Sequence, residues 1–160
     1  MMRRTDRQQS ETFARDLMDT APYGVLSLSS DEGLPYAIPI SFALVDNTIY
    51  MHGASEGTKL NLIAQNPKAV FVCVGRTRLL PQQFTTEYES AVATGDIRIL
   101  TTRREKRVGL RALARKYSPD FSSEAEAYID RAIDTTTVIA IAIDCITAKA
   151  KLPTKEQEKP

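Results

Sequence analysis

A chain of 160 residues, 42% hydrophobic and 26% charged, is long enough for one domain with a substantial core. Its 21 basic and 20 acidic residues leave a formal net charge of +1, so no overall field recruits nucleic acid or a membrane surface. No apolar run approaches the length of a transmembrane helix, and the basic start MMRRTDRQQS has no apolar segment behind it, so a cytoplasmic protein is expected.

Ser10 is placed to cap a short helix carrying Phe13, Ala14, Leu17 and Met18, which APYG closes. YGVLSLS reads as a strand, SDEG as its turn, and LPYAIPISFALV as a second strand. Asp46-Asn47 fits a two-residue hairpin loop, with TIYMHG returning. Ser55 is expected to cap the next helix, with Leu60, Ile63 and Ala64 on its inner face and a stop at Asn66-Pro67. AVFVCVG lacks alternation and predicts a strand buried on both faces.

TEYESAVATGDIRIL predicts a long strand interrupted at Gly95 by a bulge. Thr102 and Glu105 have capping-box spacing before a helix with Leu110, Leu113, Ala114 and Tyr117 on one face, and Ser118-Pro119 ends it. Ser123 and Glu126 repeat that spacing before a helix carrying Ala125, Ile129 and Ile133. TTVIAIAID is the last strand. Residues 1–150 are expected to form one domain, and KLPTKEQEKP, residues 151–160, a frayed tail.

Consecutive hairpins favour an antiparallel sheet, and so many strands in a small chain favour a barrel, mainly β with peripheral helices. No G-x-G-x-x-G follows the first strand, which argues against a doubly wound dinucleotide fold. Cys73 and Cys145 lie in apolar runs and read as small buried hydrophobes rather than a disulfide, and with one histidine they make no zinc-site spacing. Arg104, Arg107, Arg111 and Arg115 form a basic helix stripe. Neighbouring acids and the absence of interleaved aromatics favour a solvated face over a nucleic-acid surface.

The hairpin register pairs Val45 with Thr48, Ala43 with Tyr50 and Ser41 with His52. Ile40, Phe42, Leu44, Ile49 and Met51 then share a core face. Ala37, Pro39, Ser41, Ala43, Tyr50 and His52 share the other, which is either ordinary solvent-facing strand or a shelf for a flat ligand. Pro39 cannot donate a ladder bond, so the strand is interrupted or near an edge there. GASEGTK, residues 53–59, leads into a helical first turn whose N–H groups and dipole suit an anion. Gly53 and Gly57 permit close approach, Ser55 and Thr58 offer hydroxyls, and Lys59 a point charge. A capped helix with an exposed lysine explains the same residues, and the adjoining shelf is what favours a phosphate.

DEGLPYAIPISFALVDNTIYMHGASEGTKLNLIAQNP resembles the FMN-binding split β-barrels of the pyridoxamine 5'-phosphate oxidase-like superfamily. MRRTDR, YMHGASEGTK and YESAVATGDIRIL followed by Glu105-Lys106 are similar to its nitroimidazole-resistance (Nim-type) subgroup. The resemblance implies an antiparallel split barrel and a homodimer with FMN at the subunit interface. Backbone at Ile38, Pro39, Ile40 and Ser41 would border the flavin ring, with Gly53 close by, and Ser55, Thr58 and Lys59 would hold the phosphate. His52 matches the histidine these proteins place beside the flavin and is the catalytic candidate, against a purely structural bond to Ser41 or the interface. Tyr88, Glu89 and Ser90 lie in the segment that reaches toward the partner's flavin.

The sequence departs from the family at Thr94, where an aromatic residue is common, and in lacking the C-terminal substrate segment of true pyridoxamine phosphate oxidases. The implied function is an FMN-dependent oxidoreductase reducing nitroaromatic or other electron-poor small molecules. The rival is a non-catalytic flavin- or haem-binding, storage or sensing protein, with a deazaflavin F420 barrel a weaker option. No metal, nucleic-acid or membrane site is expected.

Overall fold

The computed structural model describes residues 3–153. Its strands are β1 (Gln8–Gln9), β2 (Gly24–Ser29), β3 (Pro35–Ile40), β4 (Phe42–Val45), β5 (Thr48–Gly53), β6 (Lys68–Leu80), β7 (Thr85–Ile99) and β8 (Thr137–Lys151). The helices are α1 (Glu11–Thr20), α2 (Thr58–Gln65), α3 (Arg103–Tyr117) and α4 (Ser122–Ala132). Every ladder is antiparallel, in the order β3-β2-β6-β7-β8-β5-β4, with β1 alongside β8.

The two ends of that order, β3 and β4, are separated in sequence only by Ser41. The extended run 34–45, expected as one strand, therefore changes partner midway. It pairs with β2 before Ser41 and with β5 after it. This closes the sheet on itself as an antiparallel split barrel. The Asp46-Asn47 hairpin has the expected register, with Phe42 opposite Met51 and Val45 opposite Thr48, and Asp46 takes the left-handed conformation its loop needs. The expected Ser41–His52 pair does not form. The ladder stops at Phe42, and His52 pairs with Val138 of β8 instead.

Alternation fills the barrel. Leu26, Phe42, Ile49, Met51, Phe71, Ile97, Ile139 and Ile141 are buried inside, and the rings of Phe42 and Phe71 sit 4.7 Å apart at a tilt. Ala14, Leu17 and Met18 of α1 join this core, and the Ser10 hydroxyl accepts the Phe13 N–H as its cap. The Thr102 hydroxyl likewise accepts the Glu105 N–H at the start of α3. Ala112 and Leu113 of α3 pack outside the barrel on Ala43, Val45 and Tyr50. Gly109 permits that approach, because a Cβ there would come within 2.9 Å of Val138 and 2.8 Å of Tyr50.

Several local expectations are corrected. Gly57, not Ser55, precedes α2, and Leu62 rather than Ala64 joins Leu60 and Ile63 inside. The chain needs φ = 127° at that position, which glycine adopts freely and serine does not. β6 is not buried on both faces. Ala69, Phe71 and Cys73 point inward while Val70 and Val74 are exposed. Ser123 lies inside α4 rather than capping it, and Glu126 is drawn to Arg107 and Arg111 of α3. The basic stripe is thus partly an interhelix ion-pair surface, with Asp130 also on Arg107. β8 runs on to Lys151, which pairs with Tyr88, so that residue belongs to the sheet and not to the expected tail. Residues 154–160 lie outside the described residues.

β6 and β7 continue past a register shift between Val74 and Thr77 as a long arm. The Gly95 bulge appears as expected, as a shift between Thr94 and Gly95 against β8. No helix among the described residues is long and apolar enough to cross a membrane.

Candidate functional site

The break at Ser41 is held by a side chain from another element. The Tyr117 hydroxyl, at the end of α3, accepts the Phe42 N–H at 2.9 Å. The carbonyls of Phe42 and Pro22 lie 3.0 and 2.9 Å from the same oxygen, positioned to take its proton. β4 is the last strand of the sheet order, and Tyr117 meets its backbone where a further strand would otherwise be needed. β3 is the other terminal strand, and it accommodates Pro39, which has no N–H to pair. Ile38 and Ile40 are half-buried, and Pro39 and Ser41 are exposed beside them. The predicted shelf is therefore only partly open: Ala37, Pro39, Ser41 and His52 are exposed at a strand edge with a fixed break, while α3 covers Ala43 and Tyr50.

His52 is exposed on β5, one residue before the strand ends at Gly53. The chain then turns through residues 54–57 into α2. Lys59 folds back over this turn, so that a Cβ on Gly53 would lie 2.8 Å from its Nζ. A larger residue at position 53 would displace the ammonium. Gly57 brings no side-chain cap to α2, and Ser55 and Thr58 are exposed. Among the described residues neither hydroxyl makes a side-chain hydrogen bond. A first helical turn without a side-chain cap, two open hydroxyls and a lysine make a cradle whose chemistry fits a phosphate. Glu56, also exposed, is the one unfavourable charge in it.

Tyr88, Glu89 and Ser90 are not brought to this cradle within one chain. They pair with Lys151, Ala150 and Lys149 at the far end of β8, while His52 pairs with Val138. Between Val138 and these partners run 11 to 13 residues of β8, roughly 36–43 Å at about 3.3 Å per residue. Glu89 instead accepts the Arg76 N–H at 3.1 Å.

Sequence reasoning missed the other wall of the site. A cavity of about 570 Å³ opens beside Ser41 and His52, with Leu110, Leu113, Ala114 and Tyr117 of α3 along one side. Phe121, Ala125, Tyr128 and Ile129, at the start of α4 and along it, form the opposite side. The face Leu110-Leu113-Ala114-Tyr117 was legible as apolar. Nothing in its spacing distinguishes a face that packs from one that lines a cavity.

Neither cysteine forms a disulfide; Cys73 is buried as expected, but Cys145 is exposed because it lies on the outward-facing alternation of β8. Burial pushes the Cys73 thiol up to about 12, which leaves it unreactive. Lys116 sits 3.8 Å over the Phe42 ring and donates to the Met18 carbonyl, tying α3 to α1, and its own burial lowers its pKa. No group of three or more His, Cys, Asp or Glu among the described residues could hold a metal ion.

A second surface lies across the sheet. Pro39, Val25, Val72, Val92 and Thr147 are consecutive cross-strand partners on the outer face of β3, β2, β6, β7 and β8. Val70 and Val74 flank this row and are 37% and 58% exposed.

A family model described as pyridoxamine 5'-phosphate oxidase matches residues 10–150. No curated protein is a significant match. Among solved structures, the chain is similar to a candidate 5-nitroimidazole antibiotic resistance protein from Bacteroides thetaiotaomicron. The identity is 25% over 89% of this chain and 84% of that one, with a TM-score of 0.76. It is also similar to an FAD- and haem-binding protein from Mycobacterium smegmatis, with 25% identity over 95% of this chain and 78% of that one and a TM-score of 0.79. A flavocytochrome from Azotobacter vinelandii shares the fold, at 16% identity over 98% of this chain and 76% of that one, TM-score 0.74.

Proposed function

The chain belongs to the pyridoxamine 5'-phosphate oxidase family, and on that premise we propose that it binds FMN and acts as an oxidoreductase on nitroaromatic or other electron-poor small molecules. The observation that carries this reading is the phosphate-ready turn at residues 53–59 lying directly after His52, on the strand that adjoins the break at Ser41. Ser55, Thr58 and Lys59 all lie in or just after the one short turn between β5 and α2, which favours a cofactor with a single phosphate and so FMN. FMN supplies the electron or hydride chemistry, and the protein's part is to bind and orient it.

In this reading Lys59, Ser55 and Thr58 hold the phosphate, with Gly53 leaving room for the Lys59 ammonium. The backbone of Ile38, Pro39, Ile40 and Ser41 borders the ring. His52 orients the acceptor or moves a proton at an imidazole nitrogen. The chain works as a homodimer in the cytoplasm. A second copy covers the apolar row from Pro39 to Thr147 and brings its Tyr88, Glu89 and Ser90 toward this chain's flavin.

The test is an absorption spectrum of the purified protein, with mass analysis of whatever heat releases. The expected result is the two-banded flavin spectrum and the mass of FMN. A haem Soret band without flavin would instead support a binding or sensing protein with His52 as an iron ligand. The likeness to the haem-binding relative from Mycobacterium smegmatis favours testing for it.

A further inference from the structure

We infer that the cavity between α3, α4 and the His52 end of β5 is a binding pocket for a flat, uncharged aromatic molecule. The inference rests on the proposed function for what happens to that molecule, not for its binding. Three observations on the cavity carry it. Its volume of about 570 Å³ falls within the range that encloses small organic ligands. Tyr117, Phe121 and Tyr128 line it, and these residues are 39%, 60% and 66% exposed, so aromatic side chains stand uncovered along a half-open cleft. The Tyr117 hydroxyl is already committed to backbone, leaving its ring, not its oxygen, to a ligand.

Charge sets the second half of the specificity. Apart from His52, the only ionisable carboxylate or ammonium in the lining is Glu124, and its carboxylate accepts the Ser123 hydroxyl at 2.6 Å. Arg107 and Arg111 of α3 pair with Glu126 and Asp130 on the interhelix surface. An anionic ligand would face the Glu124 carboxylate with no ammonium or guanidinium in the lining to offset it, whereas a neutral ring would cover aromatic surface. Ser41 and His52 stand at the sheet side of the same cavity, so a bound ring would lie beside the strand break. Ala114 and Ala125, small residues on the two facing walls, keep the space between α3 and α4 open.

The test compares two probes that share a ring and a nitro group, neutral 4-nitrobenzyl alcohol and anionic 4-nitrobenzoate, by equilibrium dialysis against the protein as purified. The alcohol is expected to bind at least tenfold more tightly than the benzoate. Ala125→Phe, which fills the cavity, should weaken the alcohol at least tenfold while cofactor content and melting temperature stay unchanged. Phe121→Ala, at an exposed ring whose loss leaves the core intact, should weaken it at least threefold and stands in if the first variant fails to fold. Equal binding of the two probes would overturn the inference. So would unchanged affinity in the variants, or loss of cofactor from Ala125→Phe, which would make the cavity part of the cofactor site. A purified protein that holds no flavin would count against the proposed function alone, because the two dialysis comparisons still decide the pocket.

Discussion

The Tyr117 hydroxyl is a single polar atom on which the position of Ser41 depends. It accepts the Phe42 N–H and sits against two carbonyls, joining the end of α3 to the strand edge. Tyr117→Phe keeps the ring in the cavity wall and removes only these bonds. The Phe42 N–H then loses its partner, and stability should fall by about 1–2 kcal/mol in urea unfolding. At the other side of the site, Lys59→Ala removes the one positive charge beside Gly53. Retention of FMN through gel filtration should weaken about tenfold or more, since a charge-assisted contact to phosphate is lost. Unchanged affinity would remove the phosphate assignment.

Among the elements, the β6–β7 arm carries the least expected feature. Glu87 is only 4% exposed, and Arg78 grips it with two bonds of 2.7 and 2.9 Å. The Arg78 hydrogen bond holds the Glu87 carboxyl below its ordinary range, with smaller help from the charges of Arg78, Arg76 and Lys151. A carboxylate whose pKa is lower in the folded state stabilises the fold above its unfolded pKa, and that contribution is lost as pH falls through the folded one. Acidifying below the ordinary glutamate range should therefore destabilise the wild-type arm relative to Glu87→Gln. Urea midpoints measured for both proteins across that range should converge on the acid side. Parallel curves would mean that the titration of Glu87 contributes nothing to the pH dependence of stability. The arm's tip ends in Phe84, which is 97% exposed in a left-handed conformation. An apolar ring presented in this way suits contact with a second copy, and the arm also carries Tyr88, Glu89 and Ser90.

Over the whole molecule, the barrel leaves one sheet face partly uncovered, and the proposed dimer is what would cover it. Val70 and Val74 are exposed while Val25, Val72 and Val92 between them are half-buried. Val74→Lys places a charge at the edge of this face without touching the core, because Phe71 and Cys73 point the other way. Light scattering should then give the mass of a monomer where the wild type gives a dimer. Flavin content should fall with it, since the partner's Tyr88–Ser90 segment would no longer be supplied. A wild-type monomer that retains full flavin would remove the partner from the site.

Much of this was readable one residue at a time. Period-two alternation placed β2, β5 and the hairpin register, and Ser10 and Thr102 marked their helices, because those signals act over a few residues. The 53–59 turn was legible as a possible anion cradle for the same reason, although its cap residue was not, since a left-handed φ at Gly57 depends on how the turn must reach α2. The sequence by itself determined the antiparallel barrel, the bulge at Gly95 and the chemical character of the His52-to-Lys59 stretch. Only the tertiary structure decided that one strand changes partner at Ser41, that one face of β6 stays exposed, and that α3 and α4 flank an open cleft beside His52. Those features depend on contacts between residues distant in the chain, such as Phe42 with Tyr117, and no local pattern encodes which distant partner a free backbone group will find.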